Sequence, residues 1–273
     1  MKLLRHGPAG AERPGLMHSD GTLRDLSGVV ADIGGDVLSD AGLAKLRALD
    51  AGALPVVAAG TRLGACVAGT GKFICIGLNY ADHAAESNLP VPKEPIVFMK
   101  TTSCIQGPND DVMLPKGSVK TDWEVELGIV IGKRGRDISL ENAAQHIFGY
   151  TCVNDVTAVE LLRSDTSFEQ WTRAKNFDGF TPFGPWIETE LDCTNAVVTA
   201  KVNGRERQNY AVSDMFFSPQ ELVAKLSRGM TLEAGDIISC GTSLGAMPWQ
   251  NDAVVEVAIE GIGTLTNTMK ESA

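Results

Sequence analysis

Histidine is scarce in this 273-residue sequence, with four in all. That is too few to favour a zinc site built on imidazoles. His6 and His18 stand isolated and read as packing or surface residues. Six cysteines are present, at 66, 75, 104, 152, 193 and 240. None forms a CxxC pair, and several sit inside apolar stretches such as Phe73-Ile74-Cys75-Ile76 and Ile237-Ile238-Ser239-Cys240. They read as reduced core residues, which agrees with a reducing compartment. No apolar run approaches the ~20 residues of a membrane helix. The opening Met1-Lys2-Leu3-Leu4-Arg5-His6 carries charge without an apolar stretch behind it, so no signal peptide and a cytoplasmic location are expected. Neither GxGxxG after a strand nor GxxxxGK[ST] occurs, leaving nucleotide binding unsupported. There is no internal repeat and no low-complexity segment. Acid outweighs base, giving a formal net charge of −10. Such a chain repels phosphate backbones, so no nucleic-acid partner is expected. The charge also disfavours anionic substrates, unless a metal or local Lys and Arg residues offset it.

The chain divides in character near residue 66. Residues 1–66 read as a small N-terminal α+β domain. Asp20-Gly21 predicts a hairpin turn, and Ser39-Asp40 predicts a cap for a short helix through Leu43, Leu46 and Leu49. Residues 67–273 read as a second, larger domain of short β-rich runs: 73–76, 96–100, 125–131, 150–153, 197–202, 236–240 and 253–259. Helical patterns are few, at 140–146 and 219–226. The expected fold class is α+β, dominated by β, and not a doubly wound sheet.

The segment Asp122-Trp123-Glu124-Val125-Glu126-Leu127-Gly128-Ile129-Val130-Ile131 is the most informative. Strand side chains alternate between faces. Val125, Leu127, Ile129 and Ile131 form one apolar face. Glu124 and Glu126 project from the other, with Cα atoms roughly 6.5–7 Å apart. Two such carboxylates repel unless a cation lies between them. Alternation alone leaves a metal site and a wet strand face equally open. A second strand runs into Asn154-Asp155 and offers a third carboxylate. Three oxygen donors suit Mg²⁺ or Mn²⁺, with Ca²⁺ also possible.

Asn79-Tyr80-Ala81-Asp82-His83-Ala84-Ala85-Glu86 predicts a short helix capped by Asp82, with His83 and Glu86 neighbours at i and i+3. A carboxylate beside an imidazole can orient it for work on a water, although a surface ion pair gives the same pattern. Trp171-Thr172-Arg173-Ala174-Lys175-Asn176-Phe177-Asp178 mixes aromatic and cationic residues, and Lys175 could neutralise an oxyanion. Gly241-Thr242-Ser243-Leu244-Gly245 is a turn whose hydroxyls and N–H groups could hold an anion.

Taken in order, these segments resemble the fumarylacetoacetate hydrolase family. The matching stretches are Gly77-Leu78-Asn79-Tyr80 with His83 and Glu86, Glu124-Val125-Glu126-Leu127, Asn154-Asp155-Val156, Arg173-Ala174-Lys175 with Phe177-Asp178, Phe183-Gly184-Pro185-Trp186, the run 227–232 with Gly235-Asp236, and Gly241-Thr242. The resemblance spans about residue 67 to the C-terminus, and residues 1–66 resemble the leading domain of two-domain bacterial members. It implies a mixed β-sandwich roll, usually a homodimer. It makes Glu124, Glu126 and Asp155 ligands for Mg²⁺ or Mn²⁺, and His83 and Glu86 a catalytic dyad on a lid. Lys175 becomes a catalytic lysine beside the metal, and Tyr80, Arg173 and Thr242 become substrate contacts.

The implied activity is hydrolysis of a carbon–carbon bond in a β-diketone-type 2-oxo acid such as an acylpyruvate. The acid would chelate the ion, the Glu86–His83 pair would activate water, and an enolate would leave. A 2-oxo acid decarboxylase, or an isomerase or hydratase, would use the same ligands. A non-catalytic relative of the fold is a third reading, opposed by the intact set of site residues. Two departures from the family pattern stand out. Where many members have Arg and Gln after Asn-Asp-Val, this chain has Val159 and Leu162 in Thr157-Ala158-Val159-Glu160-Leu161-Leu162. Where many have Gly-Thr-Pro-x-Gly-Val, it reads Gly241-Thr242-Ser243-Leu244-Gly245-Ala246. A less polar substrate is the expectation these departures raise.

Overall fold

A computed structural model describes residues 1–86, 90–118, 120–162, 164, 167–248 and 251–272. The first segment supplies strands β1 (Lys2–His6), β2 (Arg13–Met17) and β3 (Leu23–Asp25), helix α1 (Asp40–Arg47) and the short β4 (Leu63–Gly64). Then come β5 (Phe73–Gly77), α2 (Ala81–Glu86), β6 (Ile96–Lys100), β7 (Ile105–Gln106), β8 (Val112–Leu114), β9 (Thr121–Asp122), β10 (Val125–Ile131), α3 (Leu140–Ala143) and β11 (Ile147–Asn154). The chain continues through β12 (Thr157–Ala158), α4 (Val159–Leu162), α5 (Trp171–Lys175), β13 (Thr181–Glu188), β14 (Val197–Val202) and β15 (Arg205–Ala211). It ends with α6 (Pro219–Leu226), β16 (Ile237–Ser239), β17 (Val254–Ile259) and β18 (Gly263–Glu271). Strands dominate and helices are short, as expected of a β-rich α+β fold.

The large sheet runs β3-β2-β1-β13-β11-β10-β16-β5-β6, with β4 on β1 and β7 on β13. The strands of the first segment therefore join the same sheet as the rest, through β1 against β13. A second sheet runs β15-β14-β17-β18-β8, and β9 pairs with β12. Among the described residues no helix is long and apolar enough to cross a membrane.

The position of β10 explains the site. All seven of its residues are buried. Its odd face, Val125, Leu127, Ile129 and Ile131, packs in one core with Val198, Val255, Val257 and Leu265 of the second sheet and Leu222 of α6. Its even face also turns inward. Val130 packs with Leu3, Leu16, Leu38, Leu46 and Phe183 around the first segment. Glu126 sits on that same even face, 1% exposed, so the wet-face alternative fails: the strand is central and covered on both sides. A row of small residues crosses the even face, with Gly128 opposite Thr151 and Ser239, and Ser239 opposite Cys75. Phe98 pairs with Cys75 and closes the row. A Cβ on Gly128 would come within 2.7 Å of Val153 Cγ2 and 2.9 Å of Thr151 Cγ2, so glycine is what lets β10 and β11 lie close there.

The helices follow their caps. Ser39 accepts from the Gly42 N–H and starts α1, which stops at Arg47 and leaves Leu49 outside. Ser218 and Glu221 form a reciprocal capping box on α6, with Pro219 at its first turn. Asp82 does not cap α2. The Tyr80 carbonyl accepts from the Ala84 N–H at 3.1 Å, so the helix begins one residue earlier and Asp82 lies inside its first turn. All six cysteines are buried and unbridged.

Candidate metal centre

Glu124 lies just before β10, Glu126 within it, and Asp155 just after β11. Antiparallel pairing places Val125 opposite Asn154, so the start of β10 meets the end of β11. The Asp155 N–H donates to the Glu124 carbonyl at 2.9 Å, and the Glu124 N–H donates to Asn154 Oδ1 at 3.1 Å. As a result one oxygen from each of Glu124, Glu126 and Asp155 lies within 4.8 Å of the others.

Two buried ammonium groups accompany them. Lys175, the last residue of α5, donates to Asp155 Oδ2 at 2.6 Å, Thr157 Oγ1 at 2.7 Å and Glu124 Oε2 at 3.0 Å. The Thr157 hydroxyl donates to Glu124 Oε1 at 2.8 Å. Lys100, at the end of β6, donates to Asp155 Oδ1 at 2.5 Å and to the Phe180 carbonyl at 2.8 Å. Glu126 is held differently. Its Oε2 accepts from Ser239 Oγ at 2.5 Å and from the Gly241 N–H at 2.8 Å. Gly241 has φ +93°, and a Cβ there would lie 2.9 Å from the Ile76 carbonyl oxygen. Only glycine lets this N–H reach Glu126.

Three carboxylates against two ammonium groups leave one negative charge unmatched. The excess falls on Glu126. Burial, then Asp155 and Glu124, push its carboxyl well above the usual range. Burial also works against ionised Asp155, but Lys100 and Lys175 outweigh it and hold that carboxyl below the ordinary value. Lys175 stays charged, because Asp155 and Glu124 overcome its burial. A hard dication suits this all-oxygen donor set and would relieve the charge on Glu126, so the residues fit a divalent metal. Once loaded, the cluster would be locally positive, which offsets the chain's net negative charge toward an anionic substrate.

Thr242 is buried at the rim, next to Gly241. Its Oγ1 accepts from Gln208 Nε2 at 3.0 Å and lies 3.4 Å from the Tyr210 hydroxyl, which itself donates to the Val125 carbonyl. Thr242's proton is therefore free for Tyr210's oxygen or for a ligand. Tyr80 is buried with its ring edge-on to Tyr210, centroids 4.7 Å apart, and its hydroxyl has no hydrogen-bond partner among the described residues. Arg173 is exposed on α5, two residues before the buried Lys175, and is not drawn into the carboxylate cluster. His83 and Glu86 lie on α2, but their side chains fall outside the described residues.

Sequence reasoning missed Lys100, Thr157, Ser239, Gln208 and Tyr210. Thr157 carried a signal, since it directly follows the matched Asn154-Asp155-Val156. The others had none. Asn79 was quoted only as part of a motif, yet it ties three segments together: Nδ2 donates to the Cys240 carbonyl at 2.8 Å and the Phe217 carbonyl at 3.1 Å, and Oδ1 accepts from the Phe217 N–H at 2.9 Å. It fixes the root of α2 against the strand end that carries Gly241.

Comparison with known proteins agrees with this fold. Residues 72–270 match the family described as fumarylacetoacetate (FAA) hydrolase C-terminal. A Burkholderia multivorans protein with a provisional hydrolase name is 50% identical, over 96% of each chain. A fumarylacetoacetate hydrolase from Exiguobacterium antarcticum superposes with a TM-score of 0.84 at 35% identity, covering 100% of both chains. A 5-carboxymethyl-2-hydroxymuconate delta-isomerase from Mycobacterium smegmatis gives 0.82 at 33% identity, also over 100% of both chains.

Proposed function

The chain belongs to the fumarylacetoacetate hydrolase family, and from that premise we propose that it is a metal-dependent hydrolase that cleaves a carbon–carbon bond in a β-diketone-type 2-oxo acid. The observation that carries the reading is the cluster of Glu124, Glu126 and Asp155 with the Lys175 ammonium wedged against it. Mg²⁺ or Mn²⁺ held by the three carboxylates would supply Lewis-acid polarisation of the substrate's carboxylate and keto oxygens. Lys175 adds a fixed positive charge on the same side, where negative charge grows on those oxygens. The Thr242 proton, the Tyr80 hydroxyl, which has no hydrogen-bond partner among the described residues, and the exposed Arg173 guanidinium are donors suited to a substrate carboxylate.

The Glu86–His83 pair on α2 takes a proton from water as its oxygen adds to the C4 carbonyl. The C3–C4 bond then breaks, its electrons form the enolate of the 2-oxo acid, and C4 departs as a carboxylic acid. The enolate takes its proton at C3. Phe98 lies with its ring centroid 4.9 Å from Lys175 Nζ, and the Trp171 ring is 5.0 Å from Phe98. That aromatic wall supports an apolar acyl group beyond C4. The exposed edge strand β6, with Ile96, Val97 and Met99 bare, supports a homodimer.

Isomerisation is the second reading, favoured by the similarity to a protein named as an isomerase. Mass analysis of products from oxaloacetate, acylpyruvates and longer β-diketones separates the two. Hydrolysis yields two fragments and incorporates one oxygen from labelled water, whereas an isomer of unchanged mass would overturn the hydrolase. Glu124→Ala is expected to abolish metal-dependent turnover, and full activity after chelation would refute the metal role. Glu86→Ala is expected to suppress hydrolysis with metal affinity nearly intact.

A further inference from the structure

Each of the three carboxylates has one oxygen engaged by a group other than Lys175. Glu126 Oε2 is held by Ser239 and Gly241. Glu124 Oε1 is held by Thr157. Asp155 Oδ1 is held by Lys100. The remaining three are Glu126 Oε1, Glu124 Oε2 and Asp155 Oδ2, and Lys175 rests against the last two. Lys175 joins Asp155 Oδ2 to Glu124 Oε2, whereas Lys100 joins Asp155 Oδ1 to the Phe180 and Val156 carbonyls, outside the carboxylate cluster.

Lys100 is fully enclosed, with its side chain at 0% exposure. Its three N–H bonds have three acceptors: Asp155 Oδ1 at 2.5 Å, the Phe180 carbonyl at 2.8 Å and the Val156 carbonyl at 3.3 Å. An ammonium has three donors, so none remains for a substrate. Lys100 therefore does not touch the reaction. What it does is hold Oδ1 on the side of the Phe180 and Val156 carbonyls, while Oδ2 shares Lys175 with Glu124. A carboxylate can grip an ion with both oxygens only if both face it.

Resting on the reading of Glu124, Glu126 and Asp155 as ligands, we propose that Lys100 is a positioning residue that sets metal selectivity by restricting Asp155 to one oxygen. Mg²⁺ wants six ligands in a tight octahedron at 2.0–2.1 Å, and Mn²⁺ accepts the same oxygen octahedron. Three single oxygens and three positions for water or substrate meet that demand. Ca²⁺ takes six to eight oxygens at 2.3–2.6 Å and commonly uses carboxylates with both oxygens. The Lys100 tie withholds that second oxygen, and so discriminates against Ca²⁺.

The test is calorimetric titration of the metal-stripped full chain with Mg²⁺, Mn²⁺ and Ca²⁺, without substrate. Lys100→Met removes the tie, and Lys100→Gln keeps a donor in its place. In Lys100→Met the ratio of Ca²⁺ to Mg²⁺ affinity is expected to move toward Ca²⁺ by about tenfold, the low end of what groups behind a metal ligand control. In Lys100→Gln it should stay near the wild-type ratio. A merely structural role would weaken all three ions alike. An unchanged ratio in a folded Lys100→Met protein overturns the proposal while leaving the ligand reading intact, and failure of the wild type to bind any of the ions overturns both. If Lys100→Met does not fold, the carboxylate infrared bands of the wild-type protein decide the matter. One-oxygen splitting with Ca²⁺ bound upholds the proposal, and a two-oxygen signature sinks it.

Discussion

Replacing Ser239 by alanine isolates a single hydrogen bond at the centre of the site. Ser239 and Glu126 are both buried, so no water takes the place of the lost hydroxyl. The bond measures 2.5 Å and leaves only the Gly241 N–H on Glu126 Oε2 once it is gone. A hydrogen bond to a charged group contributes about 1.5–3 kcal/mol. An ion needs Glu126 deprotonated, and burial together with Asp155 and Glu124 already favours its protonated form. Losing the Ser239 donor makes ionisation harder still. The whole loss should therefore appear in metal binding, as an affinity lower by about 10- to 150-fold at neutral pH. Titration calorimetry with Mn²⁺ measures it, and circular dichroism checks that the fold is retained. The deficit should shrink as pH rises, because Glu126 then ionises without the metal's help. A dissociation constant within twofold of wild type at neutral pH would refute the reasoning, and would mean that Glu126 is not a ligand or that Gly241 alone suffices.

Other outcomes follow from the same geometry. Gly241→Ala forces a side chain into a left-handed backbone position against the Ile76 carbonyl and Asn79; it should cost about 1–2 kcal/mol from backbone conformation alone, read by chemical denaturation, and should lower Mn²⁺ affinity as the N–H withdraws from Glu126. Unfolding free energy should fall as pH drops below about 6.5, because burial keeps His6 neutral in the fold, Arg13 aiding and Asp25 and the Pro14 backbone opposing. An unfolded chain binds that proton first, so this stability is fully present above the unfolded value and lost toward the folded one; His6→Phe should flatten the slope, measured by urea melts across pH 5–8. Among acylpyruvates, kcat/KM should rise with an apolar acyl group and lose that preference in Trp171→Ala; a clear win for plain acylpyruvate in the wild type would remove the aromatic wall from the argument.

What the sequence made legible is what repeats or clusters locally. The strand β10 follows from its alternation, α6 from Ser218, Pro219 and Glu221, and the hairpin from Asp20-Gly21. The even face of β10 was ambiguous because period-two alternation reports which residues share a side, not what covers that side. Its covering comes from Leu3, Leu16 and Leu38, more than eighty residues earlier in the chain. Strand β15 escaped notice because Arg205 to Asn209 reads as polar surface, yet Gln208 turns inward to bond Thr242. Strand β18 carries Asn267 on its buried face, where its amide donates to the Gly107 and Asp110 carbonyls and so breaks the apolar pattern. Lys100 ends an apolar run, and nothing local in the sequence marks it as buried. A buried ammonium is stable only beside its anion, and Asp155 is fifty-five positions away.

The order of strands in the large sheet also dictates when the site can exist. Strand β16 is inserted between β10 and β5. Both neighbours, and all three carboxylates, leave the ribosome well before residues 237–241 do. Until then the flanks of β5 and β10 are open edges, and Glu126 lacks both of its donors. Pairings this distant in sequence close slowly, and open apolar edges invite association with other chains. A chain arrested before residue 237 would hold its negative charges in an unfinished sheet. The residues from 237 onward thus complete both the sheet and the candidate site.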